Sequence, residues 1–505
     1  MNDEPQTDWR RLAAEADRKV AASIAAEAES PDGSSIQLTN PADGGQGLDY
    51  AGASEVQVDK AVRAARDPAL GAQWWSMPAV ARRACLLKLA DLMDANAANL
   101  AIQDCLDIGK PISSAAMEGH IAASMCRHFG ELADKLYSGQ LAPSDPGSSA
   151  MHVRKPRGVV GAIVPWNYPV INATLKLAPA LAAGNSLILK PSELSPGSAQ
   201  ILVRLCNEAG IPPGTVNYLP GDGVTGAALA RHAGVDMLTF TGSTETGKAL
   251  MRAAGESAIK PLLLECGGKS PELVFEDVRD LGVDAIAGAI VAGAMANQGQ
   301  LCVARSRLYV QETLYADLVA AIAGILENIT PGHPLDPSTT FGPLASPAQF
   351  ARVNEFVKSG VAEGATVVVD GRGGEAPNSS GCYLAPTLFS DVTSSMRLVQ
   401  EEIFGPVLSV FSFSTEDEAV GLANATNFGL AATVWTCDLA RAHRLMQRIE
   451  TGGLLIRSTA EQRFGAGWGR EGEPYRQSGF GVEGGQMGVY SYTRVQSVQV
   501  DFPLR

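Results

Sequence analysis

Residues 158–166 read GVVGAIVPW, an apolar run bounded by glycine and proline with no polar residue to set on a wet face. Such a run is a strand buried on both sides, the signature of a parallel sheet covered by helices. The pattern repeats outward from it. INATLKLAPALAAG reads as a helix ending at Gly184 and SLILK (186–190) as a strand. GSAQILVRLCNEAG reads as a helix with Ser195 as N-cap, Pro196 at the first helical position and Gly210 as its stop. TVNYLPG and DMLTFTG are further strands, separated by the helix GVTGAALARHAG and followed by the helix STETGKALMRAAG. The fold class is therefore α/β with a doubly wound parallel sheet. A second α/β pattern begins near residue 266 with ELVFED, a helix before Cys302, SRLYVQ and GCYLAPTLF. The tail VYSYTRVQSVQVDF alternates like a strand, and a long terminal strand needs an edge partner, which points to self-association.

The 505 residues are 46% hydrophobic and 19% charged, an ordinary globular balance. A formal charge of −14 argues against a nucleic-acid partner and against an anionic membrane surface. No apolar run reaches the roughly 18 residues that span a bilayer. The N-terminus, MNDEPQTDWRRLAAEADRKVAAS, has early acidic residues and no apolar core, and reads as a surface helix or loose extension rather than a signal. The eight cysteines form no CxxC pair and the six histidines are dispersed. That pattern predicts reduced thiols, a cytoplasmic location and no metal site.

In doubly wound sheets ligands bind where strands end and helices begin. FTGSTETGK (240–248) ends a strand and opens a helix, so its backbone N–H groups suit a phosphate, or it is a plain strand–helix turn. Lys190 and Glu193 follow the next strand. They could bind ribose hydroxyls, with the carboxylate disfavouring a 2′-phosphate, or form a surface ion pair. Asn167, stiffened by Pro165 and Pro169, could donate to an oxyanion, or serve as a turn residue. Glu265 ends an apolar strand, where desolvation would raise its pKa and suit base catalysis, unless the following glycine amides satisfy it. Cys302, in NQGQLCVA (297–304), reads on its own as a buried small hydrophobe, with a reactive nucleophile as the alternative that the rest of the sequence must support.

Seven elements occur together in order: NPADG (40–44), PWNYP (165–169), LKPSE (189–193), FTGSTETGK, LECGGKSP (264–271), NQGQLC (297–302) and EEIFGPV (401–407). With these the chain resembles the aldehyde dehydrogenase superfamily, of the hydrolytic, non-acylating type, over nearly its whole length. The resemblance implies NAD as cofactor and a small-molecule aldehyde as substrate, in a homodimer or homotetramer. It implies an NAD-binding domain over 1–133 and 154–265, a catalytic domain over 266–475, and an oligomerisation flap from 134–153 and 476–505. It makes Cys302 the nucleophile, Asn167 with the Cys302 amide the oxyanion hole, and Glu265 the base, with Lys176 and Glu483 as proton relay. It assigns the cofactor to Pro165, Trp166, Lys190, Ser192, Glu193, Gly223, Gly242, Ser243, Gly267, Gln349, Glu402 and Phe404. The implied reaction runs through a Cys302 thiohemiacetal and thioester, hydrolysed by Glu265-activated water.

The C-terminal third departs from the family pattern. Ile456-Arg457 stands where many relatives have Val-Asn, and PYRQSGFGVE (474–483) replaces a glycine-rich run. Arg457, Arg463 and Arg476 could make a cationic tunnel for a carboxylate-bearing semialdehyde, or pair with Glu461, Glu471 and Glu473. Tyr168, Leu175, Leu301 and Val303 instead suggest a roomy apolar tunnel for a bulky or aromatic aldehyde. RFGAGWGREGE (463–473) would form a loop at its mouth. Cys266 reads as core, or as a disulfide partner of Cys302 under oxidation. A catalytically silent relative would lack one of Cys302, Asn167 and Glu265, and all three are present.

Overall fold

The strand Val159–Ile163 is buried at every residue and lies inside an eight-stranded sheet. The computed structural model describes residues 7–141, 145–374, 376–461 and 469–503. Along the sheet the order is Glu27–Glu29, Ala22–Ile24, Val216–Tyr218, Ser186–Lys190, Val159–Ile163, Met237–Thr241, Leu262–Glu265 and Gly479–Phe480. The five from Val216–Tyr218 to Leu262–Glu265 run parallel, and the outer ones are antiparallel. From Val159–Ile163 the chain winds one way through 186–190 and 216–218, then returns to the other side with 237–241. The switch point therefore falls between Val159–Ile163 and Met237–Thr241, where such sheets bind ligands.

A second sheet is ordered Thr366–Val369, Thr387–Ser390, Val407–Phe413, Arg307–Gln311, Pro271–Val274, Ala431–Trp435 and Gly453–Arg457, parallel after its first pair. Gly139–Leu141, Ser148–Pro156 and Thr493–Asp501 make a third, antiparallel sheet. Its middle strand runs past residue 153, and Gly479–Phe480 joins the first sheet, so both expected flap segments share residues with the body.

Three local expectations are corrected. Pro196 is the N-cap of the helix Gly197–Glu208, and the Ser195 hydroxyl is buried without a partner. The acceptor at that helix start is Asp107 Oδ2, 3.0 Å from the Gly197 amide, so a neighbouring helix supplies what Ser195 was expected to give. The tail is helical over Gly485–Ser491, because Val489 and Tyr492 pack into the first core, and extended only from Thr493. Within GCYLAPTLF only the end lies in the strand Thr387–Ser390. At the other end of the chain, the helix Trp9–Glu15 packs Trp9 and Leu12 against a small cluster around Ile102 and Cys105.

Gly479 closes the first sheet at its catalytic end. It pairs with Glu265 at φ +115°, and the neighbouring Cys266 amide donates to Ser478 O at 2.8 Å. A Cβ at 479 would run into the Leu264 carbonyl. Gly479→Ala should therefore cost about 1–3 kcal/mol and lower activity together with stability. Thermal unfolding and NADH formation measured on the same preparation test this; a fully stable, fully active variant would refute the clamp.

Candidate active site

The carboxyl end of Val159–Ile163 runs into Pro165–Tyr168, and the helix Pro169–Ala182 starts with proline at its first position, where no N–H is needed. This holds Asn167 buried, with Nδ2 donating to Gln300 O at 2.9 Å. An amide has two N–H groups, so the second is available for an oxyanion. Asn297 returns the bond, its Nδ2 donating to Asn167 O at 3.0 Å. Asn297, Gln298 and Gly299 all have left-handed φ, of 49°, 57° and 69°. Through this turn Cys302 reaches the same cleft of about 1040 Å³ that Asn167, Tyr168 and Leu301 line.

Burial pushes the Cys302 thiol up to about 12, with the charges of Glu402 and Glu265 adding to the rise. The amides of Cys302 and Val303 act in the other direction, so both donate toward the sulfur. Burial and the Glu483 charge raise Glu265 well above the carboxylate range, and the Lys176 ammonium opposes them. Lys176 and Glu483 form a buried ion pair. No hydrogen bond reaches the Glu265 side chain among the described residues. The glycine amide that could have satisfied it, Gly268 N–H, donates instead to Glu402 Oε1 at 3.0 Å. Glu265 sits behind the lining of the cleft, beside the Lys176–Glu483 pair.

The other half of the cleft is a dinucleotide cradle. Ser243 caps the helix Thr244–Ser257, whose first residues open on the cleft beside Gly242. A Cβ at Gly267 would strike the Glu402 carboxylate, and one at Gly242 would lie 2.5 Å from the Phe240 ring. Trp166 meets Phe404 edge-on at 5.3 Å, and Gln349 Nε2 donates to Phe404 O at 2.7 Å, holding that residue at φ 61°. Burial lifts Glu402 to about 7. Lys190, Ser192, Glu193 and Gly223 lie outside this lining, at the ends of the next strands. Lys190 is buried with Nζ 3.9 Å from Glu193 Oε2. A helix start, glycines that admit no side chain and a lysine–glutamate pair one strand away fit NAD.

Several tunnel expectations are corrected. Leu175 lies one helical turn beyond Ile171, packs on the first core and does not line the cleft. Val303 contributes its amide to the thiol rather than its side chain to the wall. Arg457 is buried away from the cleft, donating to the carbonyls of Thr459, Ala460 and Glu461 and stacking 4.3 Å above the Trp435 ring. Arg476 pairs with Glu450 and donates to the carbonyls of Asn424 and Thr426, while Glu471 and Glu473 accept the amides of Met487 and Gly481. Arg463 and most of the 463–473 loop lie outside the described residues. Cys266 lies in the core and also borders the cleft, as a free thiol. Sequence reasoning missed Asn172, Arg352, Phe428 and Gln477 in the lining. Of these only Asn172 carried a signal, one turn after Tyr168 on the same helix.

No helix among the described residues is long and apolar enough to cross a membrane, and no cluster of three metal-binding side chains occurs among them. Fold and cleft define a dinucleotide-dependent oxidoreductase. The profile of the Aldehyde dehydrogenase family matches residues 28–498. The chain is 42% identical over 447 residues to NADP/NAD-dependent aldehyde dehydrogenase PuuC of Escherichia coli K12, covering 88% of each. It is 39% identical over 483 residues to mouse retinal dehydrogenase 2, covering 94% of this chain and 90% of that one. The crystal structure of indole-3-acetaldehyde dehydrogenase complexed with NAD+ superposes with a TM-score of 0.93 at 37% identity, covering 98% and 99% of the two chains. The chain belongs to the aldehyde dehydrogenase family, and its reaction class is NAD-dependent aldehyde oxidation.

The charges behind the cleft predict a pH effect. Glu483→Gln removes the carboxylate that raises Glu265 and leaves the Lys176 charge uncompensated. Both changes lower the Glu265 pKa, so the acid limb of kcat, which includes thioester hydrolysis, should move to lower pH. A limb that stays put or moves up would remove Glu265 from that role.

Proposed function

We propose that this enzyme oxidises a bulky, mainly apolar aldehyde to the free acid, with Cys302 as nucleophile, Asn167 and the amide of Cys302 as oxyanion donors, and Glu265 as base. The observation that carries the substrate reading is the cleft wall around Cys302. Tyr168, Ile171, Leu301 and Phe428 line the same cleft as Cys302, while Arg457 is occupied by backbone carbonyls and the Trp435 ring. The named activities of two relatives, toward retinal and indole-3-acetaldehyde, are of the same bulky class.

With its pKa near 12, Cys302 rests as a thiol and gives its proton to solvent water only as its sulfur bonds the aldehyde carbon. The Asn167 amide and the donors at Cys302 hold the oxygen of the resulting adduct. Bound NAD supplies the hydride acceptor; Gly242, Ser243, Glu402 and Phe404 would hold it, with Lys190 and Glu193 on the adenosine ribose. In its ionised form Glu265, whose raised pKa makes it the stronger base, takes the proton of the water that hydrolyses the thioester. The edge strand Thr493–Asp501, with Val495, Val500 and Phe502 exposed, supports self-association through the flap.

Two measurements test this reading. Across aliphatic, aromatic and carboxylate-bearing aldehydes, kcat/KM should favour bulky apolar ones by about tenfold or more. Best turnover of a carboxylate-bearing aldehyde would overturn the substrate class. Glu265→Gln should give a burst of one NADH per site and then stall with acylated Cys302, detectable by mass spectrometry. Unimpaired steady turnover would show that another group activates the water.

A further inference from the structure

Another cavity, of about 580 Å³, lies at the root of the flap, and none of the residues that line it is among those assigned above to catalysis or cofactor. Its walls carry Arg82, Arg154, Lys155, Arg157 and Arg494. None of the five is in an ion pair among the described residues. The one carboxylate in the lining, Asp134, faces Lys135 Nζ at 3.2 Å. In a chain of net charge −14, with most of its other arginines paired, such a concentration of uncompensated cations is unusual.

Three of the cations, Arg82, Arg154 and Arg157, are fixed in place by neutral partners rather than neutralised. Arg157 Nε donates to Ser491 O at 2.9 Å, and Arg154 Nη1 to Thr493 Oγ1 at 3.1 Å, its guanidinium 3.7 Å above the Tyr490 ring. Arg82 Nη1 donates to Met77 O at 2.5 Å, while its Nε is buried without a partner. Lys155 and Arg494 stand directly opposite each other across the antiparallel flap strands. Like charges in that register are destabilising unless an anion lies between them.

We propose that this cavity is a binding site for a small polyanion bearing phosphate or carboxylate oxygens, distinct from the catalytic cleft. Guanidinium groups held by neutral acceptors keep both their charge and their forked donors for such a ligand. Bound there, it would tie the two flap strands to the helices Ala79–Ala95 and Ile112–Leu132, whose ends border the cavity.

The test is calorimetric titration of the full-length protein in low-chloride buffer with inorganic pyrophosphate and, separately, with citrate. Saturating NAD is present throughout to fill the cofactor's own phosphate site. Saturable binding of at least one probe, at one per chain, with a rise in melting temperature, is expected. Two variants, Lys155→Ser/Arg494→Ser and Arg82→Gln, should each weaken it about tenfold or more while NADH formation is unchanged. Pyrophosphate alone would define a phosphate site and citrate alone a carboxylate site. No saturable binding to the wild type, or undiminished binding in both variants, overturns the proposal. If the first variant instead shifts solution mass while the wild type binds neither probe, the face belongs to a second copy of the chain.

Discussion

Two reciprocal amide bonds join the halves of the catalytic cleft: Asn167 Nδ2 to Gln300 O, and Asn297 Nδ2 to Asn167 O. Asn167 lies in the loop that follows a strand of the first sheet, and Cys302 leads into a strand of the second. The separation between the Asn167 amide and Cys302 is therefore set by these bonds. They hold a costly backbone, since two non-glycine residues in the left-handed region cost on the order of 1–3 kcal/mol each. Further bonds from Gln300 Nε2 to Asn297 O and from Ala345 N–H to Gln300 Oε1 fix the turn from its other side. At Gly299 the close approach of the Gly405 carbonyl leaves no room for a side chain, which ties the nucleophile turn to the loop carrying Glu402 and Phe404.

Charge is arranged with the same economy. The Glu483 and Lys176 charges act on Glu265, the Lys269 charge acts on Glu402, and Glu265 and Glu402 both act on the Cys302 thiol. Burial brings both Glu402 and Lys269 to about 7, and the Lys269 ammonium nitrogen has no hydrogen-bond partner among the described residues. Two carboxylates and desolvation outweigh the two amides that would favour a thiolate. The balance at Cys302 therefore favours the neutral thiol over the thiolate.

The strands of the first sheet were legible because a run buried on both faces cannot be anything polar, and the residues just after those strands marked the cleft. Cys302, Asn167, Glu402 and Phe404 come together there. What the sequence hid depends on backbone direction rather than residue type. Nothing in NQGQLC announces a left-handed Asn297 and Gln298, because that conformation is bought by partners on another strand. Val303 looked like tunnel lining because it is apolar, yet its peptide N–H is what faces the sulfur. Ser195 looked like a cap because of its local sequence, and Asp107, from a different helix, takes that position.

Arg457 shows why a charge near a substrate tunnel in sequence is weak evidence for substrate charge. Its strand, Gly453–Arg457, pairs with Ala431–Trp435, which places the guanidinium over the Trp435 ring. Trp435 Nε1 donates to Glu272 Oε1 at 2.8 Å, and Arg305 Nε donates to Glu272 Oε2 at 3.1 Å. A buried carboxylate is thereby satisfied by an indole and a guanidinium three residues after the nucleophile. The carbonyls of residues 459–461 turn back onto Arg457 and close the end of the sheet. Removing that cation would orphan three acceptors and bare the Trp435 ring, a cost in stability with no group in the cleft affected. The cleft itself keeps the apolar side chains of Tyr168, Ile171, Leu301 and Phe428 in its lining, and Arg457 is not among them.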